Sequence, residues 1–156
     1  MYNPYDREAY PVRKNTRLKK YDYTSANCYF VTVCTYEKRC IFGEPGGSNP
    51  LAQIVKTGIC NIPDHYHGVQ IHHYVIMPNH VHILLQLPGN TSGLEQIIGS
   101  WKAHSTREIH KLQPEIKVWQ TSFHDHIIRN EQDYQRIWQY IEGNPLNWQK
   151  DCFFQK

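Results

Sequence analysis

Two apolar segments separated by a two-residue break place the strongest limit on how this chain can fold. Residues 69–77 and 81–87 are rich in aliphatic and β-branched side chains, and Pro78-Asn79 stands between them. Proline and asparagine both favour turns. The pattern therefore predicts two neighbouring strands joined by a tight turn.

The residues on either side of this hairpin predict one more strand and three helices. Aromatic and β-branched residues dominate positions 28–36, which indicates a buried strand. Apolar residues recur at helical spacing after Pro50 and again over 93–112. Asn130 is a suitable N-cap for a last helix, and Pro145 ends it because the residue before a proline avoids helical geometry.

The order of these elements indicates the fold class. Residues 117–128 predict irregular chain that contains a short strand. The chain then reads strand, helix, strand, strand, helix, short strand, helix. We expect an α+β sandwich, with the helices packed on one face of a central antiparallel sheet and the other face open to a substrate.

Length and composition favour one globular domain in a reducing compartment. The chain has 156 residues, of which 40% are hydrophobic. Its sequence contains no run of the roughly 18 apolar residues that span a membrane, and the polar N-terminus is unlike a signal peptide. Five cysteines without a CxxC pair favour free thiols. The sequence therefore predicts a cytoplasmic protein with no membrane partner.

Positive charge is concentrated in the first twenty residues. Six basic and two acidic side chains lie there, whereas the rest of the chain has eleven basic and twelve acidic ones. Tyrosines are interleaved with the basic residues, and such a mixture can neutralise phosphates and stack on unpaired bases. We interpret residues 1–20 as a basic arm and residues 21–156 as a single domain. Charge alone leaves a nucleic-acid contact and a solvated tail equally open.

Histidine supplies the first candidate for chemistry. Three pairs among ten histidines have His-x-His spacing, but only His80 and His82 lie within a clear strand. Side chains alternate along a strand, so these two imidazoles share a face while the apolar residues between and after them share the other. Together they can hold one divalent metal, although ordinary polar histidines remain the alternative. A histidine-triad nucleotide hydrolase is excluded, because Leu84 occupies the position of the third histidine.

The last helix carries two tyrosines in different settings. Its buried stripe is predicted to consist of Tyr134, Ile137, Trp138 and Ile141. Tyr140 lies off this stripe, and Asn144 follows it by one turn, so that both can face the same point. A phenol can attack a phosphodiester where a metal offsets charge on the phosphate. Helix geometry by itself favours the alternative, in which Tyr140 is an ordinary tyrosine at the boundary of the core.

Three segments, taken together, resemble one protein family. They are YVIMPNHVHILLQL (74–87), FHDHIIRNEQDYQRIWQYIEGNPLNW (123–148) and RLKKYDYTSANCYFVTVCTYEKRCIFG (17–43). The first is similar to the HUH signature of the single-tyrosine transposases, especially the REP-associated tyrosine transposases. The other two resemble the same family's C-terminal block and first strand region. The matches cover most of the chain in the expected order.

The resemblance implies both a fold and a reaction. The fold would be a ferredoxin-like α+β domain, the catalytic domain of a transposase over residues 21–156. In it, His80 and His82 would bind Mg²⁺ or Mn²⁺, and Tyr140 would be the nucleophile. Asn144 stands where related insertion-sequence transposases carry a glutamine ligand. His126 matches a family feature whose role the residues do not define.

The implied reaction is metal-assisted transesterification of single-stranded DNA at hairpin-flanked sites, through a 5′-phosphotyrosine. DNA hairpins are the implied partner, for a monomer or a homodimer. A catalytically inactive DNA or RNA hairpin-binding protein of the same fold is the alternative. The residues expected to contact DNA are Arg13, Lys14, Arg17, Lys19, Lys20, Lys102 and Arg107.

Overall fold

The computed structural model describes residues 27–89 and 93–154. The basic arm, with its five expected DNA contacts, lies outside these residues. Their regular elements are, in chain order, β1 (Asn27–Cys34), α1 (Pro50–His65), β2 (Gln70–Met77), β3 (His80–Leu87), α2 (Leu94–His110), β4 (His124–Ile127) and α3 (Glu131–Gly143). Short 3-10 turns cover Tyr36–Lys38 and Pro145–Lys150.

The four strands form one antiparallel sheet in the order β2-β3-β1-β4. The hairpin of β2 and β3 turns at Pro78-Asn79, as predicted. The element sequence βαββαβ with this strand order is the ferredoxin-like arrangement. The predicted fold class is therefore confirmed, and β1 and β3 occupy the two central positions of the sheet.

Helices α1 and α2 cover one face of the sheet and build the larger core. Every second residue of β3, from Val81 to Leu87, is fully buried against them. The two helices approach closely at Gly58, where a Cβ atom would lie 3.1 Å from the Trp101 ring. This explains why a glycine occupies an apolar position of α1.

Helix α3 corrects one expectation, because it packs on the opposite face of the sheet. Its buried residues Ile137 and Ile141 form a second core with Phe30 and Leu84. The sheet presents apolar side chains on this face as well, and an amphipathic helix covers them. This face of the sheet is therefore not open along its length, and the helices are divided between both faces.

The described residues add two observations on the chain's environment. All five cysteines are free thiols, and burial raises the pKa of Cys34 to about 12. Among residues 27–89 and 93–154, no helix combines the length and apolar character that crossing a bilayer requires.

Candidate metal centre and nucleophile

The two histidines of β3 lie side by side beneath α3. His80 and His82 have no exposed surface, and their ring centroids are 4.6 Å apart. They share the face of β3 that carries Leu84, because side chains alternate along the strand. The structure therefore brings the predicted histidine pair together in a closed site.

A neighbouring amide determines which nitrogen of His80 carries the proton. Nδ2 of Asn79 donates hydrogen bonds to the carbonyl oxygens of Phe153 (2.8 Å) and Lys38 (3.2 Å). Oδ1 of Asn79 is thereby turned toward Nδ1 of His80, 2.8 Å away. Since Oδ1 can only accept, Nδ1 of His80 donates and Nε2 is left with its lone pair.

His82 is held in a comparable way from the adjacent strand. Its Nδ1 lies 2.7 Å from Oγ1 of Thr32, which faces it across the β1–β3 pair. Burial lowers the pKa of His80 to about 3 and holds that of His82 well below its usual value. Both imidazoles are therefore neutral at physiological pH, which is the form that binds a metal.

Two side chains from beyond α3 complete the cluster. The structure places Asn144 there, as predicted, and adds Asp151, whose carboxylate Oδ2 lies 3.8 Å from Nε2 of His80. Nδ2 of Asn144 donates to the same Oδ2 at 3.0 Å. The amide hydrogen of Phe153 is donated to Oδ1 of Asp151 at 2.8 Å. Burial raises the pKa of Asp151.

The donor set fits a divalent cation. Within residues 27–89 and 93–154, Nε2 of His80 and Oδ1 of Asn144 are buried without a hydrogen-bond partner. Ligand atoms of His80, His82 and Asp151 all lie within 4.8 Å of one another. Buried polar atoms normally have partners, so a cluster of acceptors lacking donors indicates a cation site.

Tyr140 lies directly beside this cluster. Its ring centroid is 5.3 Å from that of His82 and 6.1 Å from that of Phe30. The hydroxyl of Tyr134 is occupied elsewhere, 2.8 Å from Nδ1 of His72 on the edge strand β2. Tyr134 and Tyr140 are both half-buried and both pack against the α3 core, so the predicted difference in burial between them is not observed. The two tyrosines differ instead in the histidine that each one faces.

Histidines outside the pair hold α3 against the sheet. A register shift in β2 between Ile71 and His73 marks a bulge, near which His72 contacts α3 through Tyr134. Nε2 of His73 lies 2.6 Å from Oε2 of Glu142 near the other end of α3. A bulge lets successive residues of a strand point in similar directions. These contacts position the helix that carries Tyr140.

His126 also contacts α3, at the first turn of that helix. Its Nε2 lies 2.7 Å from Oδ2 of Asp133, which also accepts the backbone N–H of Arg129 at 3.3 Å. Asn130 caps the helix, as predicted, by accepting the N–H of Asp133 at 2.8 Å. His126 therefore links β4 to the first turn of α3.

Residues after α3 close the site. The ring centroid of His80 lies 4.6 Å from that of Phe153 and 6.0 Å from that of Trp148. Neither imidazole of the pair has any exposed surface. Trp148 and Phe153 therefore help to cover His80 in this structure.

Two predicted DNA contacts lie away from this cluster. Lys102 and Arg107 are on α2, which covers the opposite face of the sheet. Nζ of Lys102 donates to the carbonyl oxygens of Gln120 (2.6 Å) and Thr121 (3.2 Å), and burial lowers its pKa. Arg107 is exposed. Lys102 thus supports the chain that leads to β4, and DNA contact by either residue stays a prediction.

Sequence reasoning missed three residues around the pair. Asn79 was assigned only to a turn, although its position directly before a candidate ligand was a usable signal. Thr32 is 50 residues from His82, and Asp151 is 71 residues from His80. Contacts over such separations leave no periodic pattern in a single sequence.

The fold and the site together define a class of protein. It is a ferredoxin-like domain with a histidine pair on its central strand and a tyrosine on the helix packed over that pair. The chain belongs to the family described as "Transposase IS200 like", which it matches over residues 22–144. The resemblance stated from the sequence is thereby confirmed.

Individual relatives agree with this family. The chain is 36% identical to an uncharacterized protein of Haemophilus influenzae, over 91% of this chain and 93% of the relative. It is 30% identical to the REP-associated tyrosine transposase of Escherichia coli K12 over 77 residues, 49% of this chain and 44% of that protein. A solved REP-associated tyrosine transposase bound to a REP hairpin has the same fold, with a TM-score of 0.67 and 21% identity over 85% of this chain and 74% of that one.

Proposed function

We propose that this protein cuts and rejoins single-stranded DNA at hairpin-flanked sites, with Tyr140 as the nucleophile. The observation that carries the proposal is the position of the Tyr140 ring, 5.3 Å from His82 and beside a buried cluster of metal-ligand type. Membership of a transposase family gives the reaction class. The relative bound to a REP hairpin supports a DNA hairpin as the partner.

The reaction exchanges one phosphoester for another. The Tyr140 oxygen attacks the scissile phosphorus and loses its proton, while the bond from phosphorus to the 3′ oxygen breaks. The 3′ oxygen takes a proton and leaves as a free hydroxyl, and the 5′ phosphate stays on the tyrosine. Attack by a 3′-hydroxyl on this phosphotyrosine reverses the step and rejoins the strands.

The residues present also fit the cofactor that the family implies. His80, His82 and Asn144 would hold Mg²⁺ or Mn²⁺, which offsets negative charge on the phosphate oxygens when it is bound. Asn79 and Thr32 keep the imidazoles turned so that each can offer Nε2. A free phenol has a pKa near 10, so Tyr140 needs a nearby metal ion or a base to react at neutral pH.

A direct test uses DNA from the flanks of the protein's own gene. The full-length protein is incubated with a labelled single-stranded hairpin and Mn²⁺, and the products are separated on a denaturing gel. We expect a cleaved strand and a slower band that contains protein covalently joined to DNA. Binding without cleavage on any flanking hairpin would instead support an inactive binding protein. Competition between matched DNA and RNA hairpins would identify an RNA-binding alternative.

Deletion of residues 1–20 tests the basic arm. Because the positive excess is concentrated there, the shortened protein should bind hairpin DNA more weakly and with a flatter salt dependence. Each lost phosphate contact should reduce the slope of log K against log salt by about 0.7 for single strands and about 0.9 for duplex. Fluorescence anisotropy at several salt concentrations measures this slope. An unchanged slope would show that the arm does not contact phosphates.

A further inference from the structure

Asp151 is neither one of the paired histidines His80 and His82 nor a residue of helix α3, yet its side chain reaches the centre of the cluster. Its side chain is 1% exposed, and the family match ends at residue 144, before this position. A buried carboxylate is costly unless a cation or several donors compensate it. Its donors include the Asn144 amide, the backbone N–H of Phe153 and the side chain of Cys152, but no cationic side chain donates to it among the described residues.

In the contact between Asp151 and His80, the two atoms that face each other are both hydrogen-bond acceptors. Asn79 fixes the proton of His80 on Nδ1, so Nε2 presents a lone pair to Oδ2 of Asp151 at 3.8 Å. That distance is too long for a hydrogen bond. Two ligands that each lie about 2.1 Å from one ion are about 3.0–4.2 Å apart. The spacing therefore suits a cation bound between the two side chains.

Charge supports the same assignment. Two neutral imidazoles and one amide would leave a buried divalent ion with its full charge uncompensated. One carboxylate reduces the charge of the centre to about +1, which still attracts a phosphate. The hydrogen bond from Nδ2 of Asn144 to Asp151 also fixes that amide with its free Oδ1 available as a ligand.

We propose that Asp151 is a ligand of the divalent cation in the DNA-free protein, together with His80, His82 and Asn144. This inference rests on the proposed function, because it places its ligand in the same metal centre. It also links the cation to residues 145–154, since Asp151 belongs to the segment that covers the pair.

The test measures Mn²⁺ binding to the full-length chain by electron paramagnetic resonance of the free ion. Asp151→Asn should weaken binding by at least about tenfold, because even residues that only orient a ligand contribute about 10–100-fold. Asp133→Asn is the matched control: this buried carboxylate contacts His126 and should leave Mn²⁺ affinity unchanged. A His80→Ala/His82→Ala variant, measured in parallel, should lose binding altogether.

Thermal unfolding gives a second readout, the rise in melting temperature on adding Mn²⁺. In chelator, Asp151→Asn should melt at a lower temperature than the wild type, because an amide nitrogen in place of Oδ2 would face the donating Nδ2 of Asn144. Saturating Mn²⁺ should widen this difference, because the wild type gains more from the bound ion. A purely structural Asp151 would leave the difference unchanged by Mn²⁺, which would overturn the inference.

The outcomes separate this inference from the proposed function. Wild-type affinity in Asp151→Asn, with binding lost in the double histidine variant, would reject Asp151 as a ligand and keep the histidine site. Wild-type affinity in both variants would reject the metal centre itself.

Discussion

Replacing Tyr140 with phenylalanine should eliminate the covalent protein–DNA adduct completely. The change removes one hydroxyl from a half-buried ring and keeps its contacts with Phe30 and His82, so the fold should be unaffected. Without the attacking oxygen, no phosphotyrosine can form. The measurement is the denaturing-gel assay with labelled hairpin and Mn²⁺, together with a melting curve for the variant.

Tyr134→Phe is the matched control on the same helix. It removes the hydroxyl that contacts Nδ1 of His72, which should cost about 1 kcal/mol of stability. Adduct formation should persist, because this hydroxyl faces β2 rather than the histidine pair. An adduct that survives in Tyr140→Phe and disappears in Tyr134→Phe would reverse the assignment of the nucleophile.

Loss of either paired histidine should reduce cleavage by more than about 100-fold. His80→Ala and His82→Ala each remove a ligand, and even the residues that orient ligands contribute about 10–100-fold. Asn144→Ala should reduce activity less severely or raise the concentration of metal that is required. Cleavage rates at several Mn²⁺ concentrations measure both effects.

The structure changes what to expect for the stability of these histidine variants. The strand pattern suggested that the fold would tolerate them, but both rings are fully buried against aromatic side chains. Each alanine should leave a cavity that costs on the order of 2–4 kcal/mol. Folded domains typically have about 5–15 kcal/mol of stability, so single variants should remain folded. Melting curves in chelator separate this loss from the loss of metal.

A second His-x-His pair provides the control for these variants. His65 and His67 are exposed near the end of α1, which packs on the opposite face of the sheet. A His65→Ala/His67→Ala variant should keep wild-type cleavage and metal binding. If cleavage and Mn²⁺ binding depend on this pair and not on His80 and His82, the candidate metal centre is wrong.

The sequence by itself determined which residues share a face. Periods of two and 3.6 residues follow from backbone geometry, so they located the hairpin of β2 and β3, the helices and the alternation that places His80 and His82 together. The same argument placed Tyr134 in the buried stripe of α3 and Tyr140 off it, but both are half-buried against the same core and differ in the histidine that each one faces. The N-cap of α3 at Asn130 was also predicted, because capping is decided by neighbouring residues.

Only the tertiary structure decided how those faces meet. It placed α3 over the face of the sheet that was expected to be open, and it brought Thr32 and Asp151 to the histidine pair from distant parts of the chain. It also showed that Asn79, which was predicted only as part of a turn, determines which nitrogen of His80 carries the proton. Local periodicity contains no record of such contacts, because they depend on packing between elements that are far apart in sequence.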